Sequence, residues 1–110
     1  MKKQKKEISV FKKLDETIKI SNKKGNGILK FSASADSNEK LTRYSLTYVN
    51  ANIYKDDNGR VLGYDNHHGH HHRHYMGHVE PVDFISFTDI YNRFEIEWRD
   101  IHEKHQNQKK

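Results

Sequence analysis

Between Tyr64 and His78 the chain carries seven of its nine histidines, with Arg73 and Tyr75 among them. Imidazole titrates near neutral pH, so this segment concentrates the side chain best suited to moving protons under cellular conditions. Metal-free cleavage of RNA needs three groups. A base takes the 2′-hydroxyl proton, an acid protonates the leaving 5′-oxygen, and a cation stabilises the charge around phosphorus. His72, Arg73 and His74 supply those types in succession. Asp65 can orient an imidazole, and Tyr64 and Tyr75 offer rings that stack on an unpaired base. In an extended segment His72 and His74 project to one side, where His70 could join them, and Arg73 projects to the other. Arg73 therefore needs a bent backbone to act with the histidines, or a different cation such as Arg43 serves.

Two plainer readings stand beside this one. The first is a solvated polar loop whose histidine content has no chemical purpose. The second is metal binding, because neutral imidazoles ligate zinc, copper and nickel. Any histidine tract captures zinc or nickel adventitiously, and no cysteine or fixed carboxylate partner is evident, so no metal site and no cofactor is assigned. Elsewhere the chemistry is thin. Tyr44 and Tyr48 share one strand face and read as core, as does Trp98. Arg60 reads as an exposed strand charge, and Asp56 and Asp57 as turn residues. The sequence holds no phosphate-binding glycine loop, no nucleophile elbow and no zinc-finger spacing.

The elements that must position these residues are short. Ile8–Phe11, Thr17–Ile20 and Ile28–Ser32 have strand character, with a turn over Ser21–Gly27 and a loop over Ser34–Lys40. From Leu41 to Tyr54, apolar residues recur mostly at every second position, which marks a half-buried strand. Asp56-Asp57-Asn58-Gly59 signals a type I′ hairpin returning through Arg60–Asp65. Val82–Ile85 is a candidate short strand. Ser86 and Asp89 have capping-box spacing, and Ile90, Phe94, Trp98 and Ile101 then form one apolar helical stripe. The expected fold is α+β, an antiparallel sheet of about four or five strands with a C-terminal helix packed on it.

Length and composition set the frame. A chain of 110 residues has room for one domain. Its hydrophobic fraction of 33% is low, partly because residues 1–6 and about 104–110 are polar and are expected to form flexible tails. Of 20 lysines and arginines, six lie in residues 1–6 and 109–110, leaving 14 basic against 15 acidic residues in the body. The formal charge of +5 is therefore no evidence for a basic patch on the fold. Absence of cysteine suits a reducing cytoplasm. No apolar run approaches the roughly 20 residues of a membrane span, and no h-region follows the N-terminal lysines. A cytoplasmic protein without membrane contact is expected.

The run Gly63-Tyr64-Asp65-Asn66, then Gly69, then His72-Arg73-His74-Tyr75, followed by Glu80-Pro81 and a helix over Ser86–Ile101, resembles the TumE-type toxin family. The resemblance spans about residues 41–101. His67, His68, His70 and His71 depart from it, since other members carry acidic or lysine residues there. Only Asp65, Asn66, His72, Arg73 and His74 match by position. The resemblance implies a toxin held by a cognate antitoxin, often one with a helix-turn-helix DNA-binding domain. Combined with the histidine chemistry it yields an expected site. His72, Arg73, His74 and Asp65 are catalytic, Tyr64, Asn66, Tyr75 and Arg43 bind substrate, and RNA is the substrate. A non-enzymatic nucleic-acid- or protein-binding module, or a metal-binding histidine-rich protein, is the alternative.

Overall fold

A computed structural model describes residues 13–108. Six strands follow one another in a meander: β1 (Lys13–Ile20), β2 (Gly27–Ala35), β3 (Leu41–Val49), β4 (Arg60–Asp65), β5 (His72–Tyr75) and β6 (His78–Pro81). Each pairs antiparallel with the next, so spatial order equals chain order. One helix, α1 (Phe87–Gln108), packs on one face. The α+β class is as expected, and the sheet has six strands rather than four or five. The expected Ile8–Phe11 strand lies outside the described residues.

Alternation decides the two faces. On β3, Tyr44, Leu46 and Tyr48 are buried beneath the helix, with Leu29, Phe31 and Ala33 beside them on β2 and Leu62 and Tyr64 on β4. From α1, Phe87, Ile90, Phe94 and Trp98 complete this core, and Ile101 packs at its edge. The helix starts as its sequence indicates, because the Ser86 hydroxyl accepts the Asp89 N–H at 3.0 Å. It continues to Gln108, past residue 104, where a tail was expected to begin. Its distal end is pinned by His102, whose Nδ1 lies 2.6 Å from the Tyr48 hydroxyl and whose Nε2 lies 2.7 Å from the Lys24 carbonyl.

Several boundaries differ from expectation for local reasons. Strand β2 runs to Ala35 with an irregularity after Ser34, so the loop begins at Asp36, whose Oδ1 accepts the Asn38 and Lys40 N–H groups. Strand β3 stops at Val49 rather than reaching Tyr54. Asn50 turns the chain inward and its amide reaches the carbonyls of Gly25 and Asn26. Asn58 and Gly59 have the expected positive φ, at 57° and 81°, but Asp57 joins them at 53°, so the left-handed turn starts one residue earlier, and it closes a longer loop over residues 50–59.

The histidine segment is part loop and part strand: His67, His68, His70 and His71 lie in the connection from β4 to β5, and His72, His74 and His78 lie on strands. β5 and β6 join through Met76-Gly77, both at positive φ, which is the twist a two-residue hairpin needs. A Cβ at Gly77 would also lie 2.5 Å from the Tyr54 hydroxyl oxygen, so a larger residue there would have to displace that side chain. The candidate strand Val82–Ile85 does not form. Strand pairing ends at Pro81, with one last bond from the Val82 N–H to the His71 carbonyl at 3.1 Å.

Candidate functional site

Register brings Asp65 opposite His72 and Gly63 opposite His74. Because residues alternate, Asp65, His72 and His74 project together from the face opposite α1. Asp65 sits at the centre of this group and is largely buried. Its Oδ2 lies 2.8 Å from His74 Nε2, and its Oδ1 lies 4.0 Å from His72 Nδ1. Oδ1 also accepts the His67 N–H at 3.0 Å, which folds the β4–β5 turn over the carboxylate. His72 is the more accessible imidazole, with 26% of its side chain exposed against 14% for His74. The Nδ1 of His74 is buried and has no hydrogen-bond partner.

Arg73 goes the other way. Its Nε lies 3.2 Å from Glu97 Oε1 on α1, and its Nη1 lies 3.0 Å from Glu80 Oε2 on β6. Tyr64, opposite Arg73 in the ladder, donates its hydroxyl proton to the same Glu97 oxygen at 2.6 Å. Burial pushes the Tyr64 phenol up to about 12, and the bond to Glu97 adds to the shift. For Arg73, burial alone would favour the neutral form, but Glu97 and Tyr64 outweigh it and hold the guanidinium as a cation. Tyr75 lies beside Arg73 on this same side, with the guanidinium 5.2 Å from its ring centre. The consecutive His-Arg-His residues are thus split between the two faces of the sheet.

The remaining expected site residues have varied positions. Asn66 has both ends of its amide committed, accepting the Tyr44 N–H at 3.0 Å and donating to the Thr42 carbonyl at 3.1 Å. It extends the β3–β4 pairing by one side chain. Arg43 is exposed on the histidine face, 3.5 Å from His67 Nε2. Lys30 and Arg60 share that face farther along the sheet, in a shallow hollow of about 330 Å³ floored by Thr47 and Val49. Arg60 is held by Asp57 at 2.8 Å. Tyr64 is fully buried and Tyr75 is partly exposed on the helix side. Neither ring lies beside His72 and His74.

Sequence reasoning missed the carboxylates that claim Arg73. Glu80 is its direct partner in the β5–β6 ladder, and Glu97 follows the core residue Phe94 by three, so it lies on the sheet-facing side of α1. Recognising His72–Tyr75 as a strand would have put Arg73 on the face opposite its flanking histidines, but not named either carboxylate. Among the described residues no group of three or more side chains converges in a metal-holding arrangement, and no helix is long and apolar enough to cross a membrane.

No curated protein and no solved structure matches the chain. Residues 6–105 match a family described as toxin TumE. This span covers the strands, the histidine face and nearly all of α1, so the resemblance carried by Tyr64-Asp65-Asn66 and His72-Arg73-His74 extends to the whole fold. The chain belongs to the TumE toxin family, the toxin half of a toxin–antitoxin pair.

Proposed function

We propose that this toxin is a metal-independent endoribonuclease that works in the cytoplasm through the histidine face of its sheet. The observation that carries this reading is the grouping of His72 and His74 on one carboxylate, Asp65, on the face that also holds Arg43. His72, the accessible imidazole, takes the proton of a ribose 2′-hydroxyl. The freed oxygen attacks phosphorus, the bond to the 5′-oxygen breaks, and that oxygen receives a proton from His74. The products are a 2′,3′-cyclic phosphate and a 5′-hydroxyl. The proton donated is the one on Nε2, so Asp65 holds the donor atom in place until the leaving oxygen competes for it.

Arg73 acts through position. Bound to Glu80 and Glu97, it fastens β5 and β6 to α1 and so fixes the strand that presents both histidines. Charge on the phosphate is met by Arg43 on the histidine face, an exposed cation suited to the task. Release from a cognate antitoxin of the helix-turn-helix type frees this face for substrate. The buried Nδ1 of His74 favours a second reading, a module that binds RNA or protein through the same face without turnover.

Induced expression separates the two readings. Growth arrest with breakdown of total RNA is expected from the parent, and both should vanish in the His72→Ala/His74→Ala double variant at equal soluble level. Growth arrest with intact RNA in the parent would replace the ribonuclease with the binding module.

A further inference from the structure

At the end of the sheet where β4 turns into β5, a second feature adjoins the histidine face. The linker between β6 and α1 carries Phe84, whose ring stacks on His71 with centres 4.2 Å apart and planes 13° apart. Tyr44 lies behind them, its ring tilted only 21° from His71 and 23° from Phe84. Its hydroxyl lies 2.9 Å from His71 Nδ1, which fixes the imidazole plane. In front of Phe84 opens a cleft of about 350 Å³, with Leu41 on one wall and Lys40 at the rim. That volume falls within the roughly 300–1,000 Å³ of small-ligand sites. Phe84 itself is 37% exposed, although a phenyl ring on a linker gains nothing from water.

We propose that this cleft is a nucleobase subsite, in which one unpaired base of the RNA stacks on Phe84 while its neighbouring phosphate lies at His72. The proposal rests on the ribonuclease reading and deepens it. Three observations favour a base over other occupants. The wall is a set of nearly parallel rings, the geometry that accepts a flat π-system of any sequence. His71 in the wall is the chain neighbour of His72, the first residue of β5; its ring stacks on Tyr44 on the helix side while His72 faces the other way, so an RNA strand rounding the sheet end meets both. Lys40 at the rim, with Glu39 beside it in the lining, is an exposed cation suited to a flanking phosphate. Burial, and after it the nearby His72, lower the affinity of His71 for a proton and so favour the neutral ring.

The test uses single-stranded oligonucleotides methylated at every 2′-oxygen, which bind but cannot be cleaved, each with one fluorescent 2-aminopurine. Parent protein should quench the fluorophore at one position of the strand. Phe84→Ala should abolish that quenching and weaken binding by about 5- to 150-fold, from the roughly 1–3 kcal/mol of a base–aromatic stack. Phe84→Tyr should restore both. If Phe84→Ala folds poorly, Lys40→Glu gives the second reading, with weaker binding and a shallower salt dependence expected. Unchanged affinity and quenching in Phe84→Ala and unchanged binding in Lys40→Glu overturn the subsite and leave the ribonuclease intact. Failure of the parent to bind any RNA overturns both. Normal RNA binding by Phe84→Ala together with escape from the antitoxin on co-expression assigns the cleft to the antitoxin and overturns the subsite.

Discussion

Asp65 is the residue on which the histidine face depends, because one carboxylate contacts His74, approaches His72 and receives the His67 N–H. Asp65→Asn keeps the shape but weakens the hold on His74 Nε2. It is expected to lower the rate of RNA cleavage by about 100- to 1,000-fold, within the range for general acid–base groups, with only a small change in melting temperature. Arg73 is the opposite case. Arg73→Ala leaves Glu97 and Glu80 without their cation and is expected to cost about 1–3 kcal/mol of stability, the scale of hydrogen bonds to charged groups. Denaturant unfolding measures that loss, and the folded variant, with the histidine strand less firmly held, should also cleave more slowly, though by less than Asp65→Asn. His71 supplies a pH dependence. Its proton affinity is lowered in the fold, first by burial and then by His72, so protonation favours the unfolded chain. The contribution is complete above the ordinary imidazole value of about 6.5 and is lost as pH falls through the lower folded value. The melting temperature of the parent should therefore fall more steeply between about pH 7 and 5 than that of His71→Gln. Equal slopes would show that His71 does not contribute.

At the scale of elements, the turns and clamps bear most of the weight. Asn50 is almost fully buried and its amide nitrogen reaches the Gly25 and Asn26 carbonyls and the Tyr48 hydroxyl. Asn50→Ala strands those acceptors, so a loss of about 3 kcal/mol or more is expected in chemical unfolding. The helix was legible in the sequence because its apolar stripe and its serine cap act within a few residues of each other. So was the Tyr44–Tyr48 face of β3, where alternation is regular. Strands β5 and β6 were not, since His72–Tyr75 has little intrinsic strand preference and owes its form to pairing with β4 and β6. Met76-Gly77 hid the hairpin, because methionine at positive φ is no turn signal. The same blind spot affected the site. Opposite faces for Arg73 and its flanking histidines follow directly from a strand, but the cation's partners lie on β6 and α1, beyond any local pattern. Asp65 was legible as an orienting group, whereas Phe84 carried no signal in a segment read as a possible strand.

As a whole, the molecule is a sheet with one face sealed by α1 and the other carrying histidines and scattered cations. The described body has no large charge excess, so attraction to RNA depends on where cations lie, above all Arg43 and, farther along, Lys30 and Arg60. The most direct test of the central claim is cleavage of an end-labelled single-stranded RNA by purified protein, with chelator present throughout. Parent protein is expected to yield fragments ending in 2′,3′-cyclic phosphate, with rates about 100-fold or more lower in His72→Ala and in His74→Ala. Cleavage at the parental rate by the folded double variant, or intact RNA with a folded and toxic parent, would contradict histidine-dependent ribonuclease action.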